Sequence, residues 1–223
     1  MGAGLGSLTV ALAGAGAEVL ALEVDDRLVP ALEEATEGLA VRAVSADATR
    51  ADWSRLLGEG SWRMASNLPY SVGVSALVDL LEEAQAVDPF VVMVQREVGE
   101  RLAASPGEEA FGAVSLRVAY RAEVRTLRRV GRKVFWPEPN VESVLLRLDR
   151  RPPPVDVAHD ALFRLIDEGF RQRRKTLLSA LVRLGLPRDR AEEALRRAGL
   201  DVRVRAEALG LEDFARLAGA LHG

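Results

Sequence analysis

The chain has no cysteine, and among its 223 residues only His159, His222, Lys133 and Lys175 represent histidine and lysine. Without cysteine there can be no disulfide, thiolate zinc site or cysteine nucleophile. Two histidines speak against imidazole catalysis and polyhistidine metal centres, so no metal site is expected. Nearly all of the 30 basic residues are therefore arginine, a side chain suited to phosphate contact and base stacking. The net charge of −3 and sequence pI of about 5.6 exclude a uniformly basic coat but leave room for local patches. A long apolar run is also missing. Met1 to Ala17 carries no charge, yet no basic segment precedes it and its glycines disfavour a membrane helix. It also falls short of the ~20 residues a bilayer requires. The chain reads as a soluble cytoplasmic protein long enough for one large domain or two smaller ones.

Short β-branched runs alternate with helical stretches in the first part. Strands are expected at Glu18–Val24, Ala40–Val44, Ser61–Asn67 and Phe90–Gln95, with helices at Arg27–Ala35, Val74–Ala84 and Glu97–Ala104. Apolar runs of this kind indicate a mostly parallel sheet covered on both faces. Period-two patterning predicts two further strands at Ala113–Val124 and Val141–Leu148. Arg151-Pro152-Pro153-Pro154-Val155 marks a boundary, because three prolines continue neither a helix nor a central strand. Beyond it every segment is helical. The expected domains are 1–150 and 156–223, joined by 151–155, with net charges of −6 over 1–148 and +3 over 149–223.

Gly2-Ala3-Gly4-Leu5-Gly6 precedes a helical stretch, and Glu23 closes the strand that follows. Glycines at such a turn let backbone amides approach a ligand, while a carboxylate roughly 20 residues later can hold both hydroxyls of a ribose. The spacing is G-x-G-x-G rather than the dinucleotide G-x-G-x-x-G, which favours S-adenosylmethionine over NAD; a purely structural turn fits as well. Asp47, after the next strand, suits an adenine amino group or, equally, a helix cap. Asn67-Leu68-Pro69-Tyr70 combines a planar amide, a rigid turn and an aromatic ring. Those groups can orient an exocyclic amine and stack on an extruded base, although a plain Asn-Pro turn would look the same.

Together these motifs resemble the ribosomal RNA adenine dimethyltransferases. Asn67-Leu68-Pro69-Tyr70 stands after the glycine turn and an E-x-D pair, Glu23 and Asp25. Gln95 to Leu102, Pro106-Gly107 and Phe111 to Ser115 are similar to the family's stretch after strand five. Phe135-Trp136-Pro137-Glu138-Pro139-Asn140-Val141-Glu142-Ser143 resembles its Phe-x-Pro-x-Pro-x-Val-x-Ser segment. Phe170 to Leu177, Arg205-Ala206-Glu207 and Leu211 to Phe214 look like parts of its helical C-terminal domain, so the likeness spans essentially the whole chain.

The resemblance implies a Rossmann-like, S-adenosylmethionine-dependent methyltransferase sheet followed by a small all-helical domain. Gly2, Gly4, Gly6, Glu23, Asp47 and Asn67 would bind the cofactor. Asn67, Leu68, Pro69 and Tyr70 would form the amine site, with Phe135 as second stacking face. The implied reaction is dimethylation at N6 of two adjacent adenosines near the 3′ end of small-subunit RNA by a monomer. RNA contact is expected from Arg132 and Lys133, within a stretch (Arg117–Lys133) of net charge +6, and from Arg171, Arg173, Arg174 and Lys175. Arg183, Arg188, Arg190, Arg196 and Arg197 are read as a solvated face. Family members also carry a strand before the glycine turn and an upstream Gln-Asn-Phe-Leu segment closing over the cofactor's methionine end. Neither occurs here, so Met1 is expected to be an internal methionine of a longer protein, and the sheet as written to hold an open apolar trough. Alternatives are a macrolide-resistance methylase acting on large-subunit RNA, a non-catalytic assembly factor, and a dehydrogenase.

Overall fold

A computed structural model describes residues 1–68 and 73–222. Strands form where the apolar runs stand: β1 (Val19–Glu23), β2 (Val41–Ser45), β3 (Trp62–Asn67), β4 (Val87–Gln95), β5 (Ala122–Val130) and β6 (Ser143–Arg150). Helices α1 (Ser7–Gly14), α2 (Val29–Ala35), α3 (Trp53–Leu57), α4 (Gly73–Glu83) and α5 (Arg96–Ala103) alternate with them. α6 (Ala113–Arg121) precedes β5, and α7 (His159–Phe170), α8 (Leu177–Arg183), α9 (Arg188–Arg197) and α10 (Leu211–His222) complete the chain. No helix of the described residues is long and apolar enough to cross a membrane.

Two units emerge. The first comprises Met1–Gly99 and Arg125–Arg150, the second Glu100–Val124 and Arg151–Gly223. The division at Arg150/Arg151 coincides with the expected boundary, but Glu100–Val124 groups with the C-terminal helices rather than with residues 1–99. One cause is a misread period. Ala113–Arg121 is helix, not strand: Leu116 and Tyr120, four residues apart, are both buried, so the apolar alternation also satisfies a helical face. Ser115 fixes its start, accepting from Gly112 N (3.1 Å) and donating to Arg101 O (2.6 Å).

Strand pairing in the first unit is interrupted. β1 and β2 pair in parallel, Val19 with Val41 through Glu23 with Ser45. The other sheet runs β3-β4-β6-β5, with β3 and β4 parallel and β4 and β6 antiparallel. β4 is its centre: Val87, Phe90, Val92 and Val94 are buried. Between β1 and β3 lies the expected trough, a cavity of about 600 Å³ whose walls include Leu20, Leu22, Trp62, Met64 and Leu80. The Met1–Gly4 segment bridges the two sheets at their carboxyl ends. Ala3 N donates to Leu22 O (3.0 Å), and Ser66 Oγ donates to Met1 O (2.7 Å).

Arg150, at the end of β6, ties that strand to α4. Its guanidinium donates to the carbonyls of Leu81 (2.6 Å), Ala84 (2.7 Å), Val87 (2.8 Å) and Leu80 (3.0 Å). These include carbonyls that the helix end leaves without intrahelical donors, and a cation there also opposes the helix dipole. Arg150→Ala is expected to cost about 2–3 kcal/mol in denaturant unfolding. Arg150→Lys should recover less than half, since an ammonium has three donors and no planar fork. A loss below about 0.5 kcal/mol for Arg150→Ala would refute this account.

The helical unit buries Leu162, Ile166, Leu177, Leu181, Leu195, Phe214 and Leu217 in one core. Arg183 is not simply solvated, as its sequence position suggested. It donates from Nε to Glu168 Oε1 (2.5 Å) and from Nη2 to Glu168 O (3.1 Å), fastening α8 to α7. The Arg183 hydrogen bond holds the Glu168 carboxyl below its ordinary range.

Candidate active site

Gly2, Gly4 and Gly6 all have positive φ (62°, 55° and 90°), a backbone region that side chains strain to enter. Their roles differ. Open space surrounds the α-carbon of Gly4, where an added Cβ would meet nothing within 4 Å. At Gly6 the same atom would lie 3.0 Å from Leu32 Cδ1. Gly6 is therefore a packing glycine that lets α1 start against α2.

Glu23 is buried at 6% exposure and its carboxylate is heavily engaged. Oε2 accepts from Gly4 N (2.7 Å), while Oε1 accepts from Val24 N (2.9 Å) and Asp25 N (3.1 Å). An ionised carboxylate offers about four acceptor positions. Three are taken, so Glu23 as arranged can receive one ribose hydroxyl rather than both. The second partner of the E-x-D pair turns away: Asp25 binds Arg27 through N, Nε and Nη2 at 3.0, 2.9 and 2.7 Å. Those hydrogen bonds lower its pKa to about 2.

Ala46 N donates to Glu23 O (2.9 Å), which sets Asp47 beside the end of β1. Asp47 Oδ1 accepts from Thr49 N (2.9 Å) and Thr49 Oγ1 (2.7 Å), and these bonds depress its pKa. Asp47 caps no helix, since Asp52 is the cap of α3; its Oδ1 closes a turn instead, while Oδ2, 3.9 Å from Arg50 Nε, keeps lone pairs for an exocyclic amine.

Asn67 ends β3, opposite Met93. It is exposed, and its side chain has no hydrogen-bond partner among the described residues. Its neighbours are fixed. Ser66 reaches Met1 O, as above; Leu68, 2% exposed, donates from N to Met93 O (2.9 Å). Gly73 opens α4 so tightly that an added Cβ would lie 2.7 Å from Leu68 Cβ. Ser66 and Gly73 position the Asn-Leu turn and were not picked out from sequence; a small residue on each side of Asn67 was the available signal. Pro69 and Tyr70 lie outside the described residues. Phe135 is half-buried on the connection from β5 to β6, its N donating to Arg132 O (3.1 Å).

The candidate RNA contacts divide by partner. Arg132 lies 3.5 Å from Glu138, and Arg171 lies 3.5 Å from Glu168. Arg173 donates to Phe111 O (2.9 Å) and Glu109 O (3.1 Å), bracing the loop before α6. Lys133, Arg174 and Lys175 are exposed, and their side chains make no ion pair or hydrogen bond among the described residues. Of the six, these three are the uncommitted cations.

A glycine turn, a strand-end acid and an exposed strand-end asparagine thus stand at the carboxyl ends of β1 and β3, and the chain as a whole resembles known proteins. A profile described as ribosomal RNA adenine dimethylase matches residues 1–222. The chain belongs to the ribosomal RNA adenine dimethylase family. Ribosomal RNA small subunit methyltransferase A of Thermobifida fusca is 44% identical over 225 residues, 98% of this chain and 78% of that protein. Its counterpart from Moorella thermoacetica is 41% identical over 233 residues, 99% and 81%. The crystal structure of a dimethyladenosine transferase from Plasmodium falciparum shares the fold, with TM-score 0.76 and 20% identity over 97% of this chain and 86% of that one. That of the 23S rRNA methyltransferase ErmE gives TM-score 0.70 and 26% identity over 100% and 89%. As a family member the chain is an S-adenosylmethionine-dependent rRNA adenine methyltransferase with a Rossmann-like sheet.

The residues present fit that cofactor. Open space at Gly4, one free acceptor position on Glu23 Oε2, Asp47 Oδ2 and the Asn67 amide, unpartnered among the described residues, all stand at the carboxyl ends of parallel strands. Ligands of open α/β sheets bind at such ends.

Proposed function

We propose that the chain dimethylates N6 of two adjacent adenosines near the 3′ end of small-subunit ribosomal RNA, acting in the cytoplasm as a monomer on the small subunit. The exposed amide of Asn67 at the end of β3, unpartnered among the described residues, carries this reading. When bound, S-adenosylmethionine supplies an electrophilic methyl group. Glu23 would hold a ribose hydroxyl and Asp47 the adenine amine of the cofactor, fixing where that methyl lies. Asn67 Oδ1 and a neighbouring backbone carbonyl would accept the two N–H groups of the target amine. That arrangement turns the nitrogen lone pair toward the methyl carbon. Leu68 anchors the turn, and Pro69, Tyr70 and Phe135 are assigned to enclosing and stacking the extruded base. No protein base is required, since the amine sheds its proton after transfer. The helical domain, with Arg174 and Lys175, is assigned to RNA recognition.

The small-subunit choice over the large-subunit one is supported by relatives of 40–44% identity, against 26% for ErmE. Labelled-methyl transfer to undermethylated small subunits and, separately, to large subunits tests it. Incorporation is expected in the small subunit alone; incorporation only in the large one would overturn the assignment.

A further inference from the structure

Trp136 stands almost wholly in water, at 98% exposure, whereas Trp53 is buried at 6% and Trp62 is half-buried. A buried aromatic side chain covers roughly 150–250 Å², and a solvated ring forgoes that gain. Its surroundings share the exposure. Val134 is 71% and Leu127 50% exposed. Three cations, Arg128, Arg129 and Lys133, are exposed, and their side chains make no ion pair or hydrogen bond among the described residues. The flanking cations are matched, Arg125 with Asp149 (3.4 Å) and Arg132 with Glu138 (3.5 Å). No acidic residue occurs between Glu123 and Glu138. Aromatic surface interleaved with uncompensated positive charge suits a polyanion with flat apolar faces. A protein interface core, by contrast, is depleted of charge.

Position adds to chemistry. The connection carrying Trp136 enters β6 at Ser143, which lies opposite Gln95 at the carboxyl end of β4. Asn67 lies opposite Met93 on the other side of the same strand. The loop therefore springs from the sheet edge that holds Asn67. β6 is two strand spacings from β3, roughly 10 Å.

We infer that Trp136 is a stacking platform for an unpaired base flanking the target adenosine, with Arg128, Arg129 and Lys133 taking phosphates of the same single strand. This rests on the RNA reading above. Stacking on an exposed ring is sequence-tolerant and depends on the strand being unpaired.

The test titrates the full chain with a short single-stranded RNA bearing two adjacent adenosines at its centre, following tryptophan emission and affinity together. Wild-type emission is expected to be quenched. Trp136→Phe should abolish the quenching and keep most of the affinity, and Trp136→Ala should weaken binding about tenfold. Because the indole is solvated, neither change removes packing. Replacing Arg128, Arg129 and Lys133 with serine should lower the log–log salt slope by about 0.7 for each phosphate no longer neutralised. Wild-type binding with the affinity of Trp136→Ala unchanged would overturn the inference and spare the RNA reading. A wild-type chain that binds no RNA would sink both. Weakened binding to intact small subunits but not to protein-free RNA would place a protein on the patch, which also overturns it.

Discussion

Asn67→Ala is expected to lower methyl incorporation into small subunits by about a hundredfold or more, with thermal unfolding unchanged. The side chain is exposed and makes no hydrogen bond among the described residues, so truncation opens no cavity and strands no partner. The neighbours that set its place, Ser66 and Leu68, keep their bonds to Met1 and Met93. What disappears is the acceptor that orients the amine, and a misaligned nucleophile alone costs about a hundredfold. Asn67→Asp separates two versions of the mechanism. A carboxylate accepts but cannot donate, so it should retain more activity than alanine if the oxygen does the orienting. Equal loss in both variants would shift the role to the amide N–H. Incorporation by Asn67→Ala at the wild-type rate would remove Asn67 from the chemistry.

Much of the first unit was legible because buried parallel strands are written as apolar runs. Val19–Glu23, Val41–Ser45 and Trp62–Asn67 each fall within two residues of their expected limits. Strand patterning failed at Ala113–Arg121, where alternate apolar residues also satisfy the i, i+4 spacing of Leu116 and Tyr120. Nothing local distinguishes the two; the Gly112–Ser115 cap decides it, and the bond from Ser115 to Arg101 is a tertiary event. The arginines were least legible of all. Arg150, Arg173 and Arg183 look like surface cations in sequence, yet each ends on backbone carbonyls or a carboxylate contributed by residues at least eleven positions away. Partners that distant leave no periodic trace. Trp136 shows the converse: its place in a Phe-x-Pro segment drew attention to Phe135, and only solvent exposure singles out its neighbour.

Glu23→Gln and Glu23→Ala are expected to separate the two tasks that sequence spacing merged in one residue. The strand-end acid was read as a ribose acceptor, but in the fold it first holds the glycine turn, through Gly4 N to Oε2. Glutamine has one carbonyl oxygen. Placed at Oε1, it preserves the bonds from Val24 and Asp25 and points its NH2 group at Gly4 N, two donors facing each other. Glu23→Gln should therefore lose about 1–2 kcal/mol of stability while binding S-adenosylhomocysteine about ten- to a hundredfold more weakly by calorimetry. Glu23→Ala releases all three amides. The one at Gly4 lies in a part-buried turn, and the loss should reach about 3 kcal/mol, with no measurable cofactor binding. A Glu23→Gln variant that binds as tightly as wild type would show that the turn does not need its tie to Glu23. Since the variant also lacks an acceptor at the Oε2 position, the assignment of Glu23 to the ribose would fall with it. If instead both variants lose stability equally, the carboxylate's charge rather than its geometry supports the edge, and the glycine turn would owe its shape to Ala3 and Leu22.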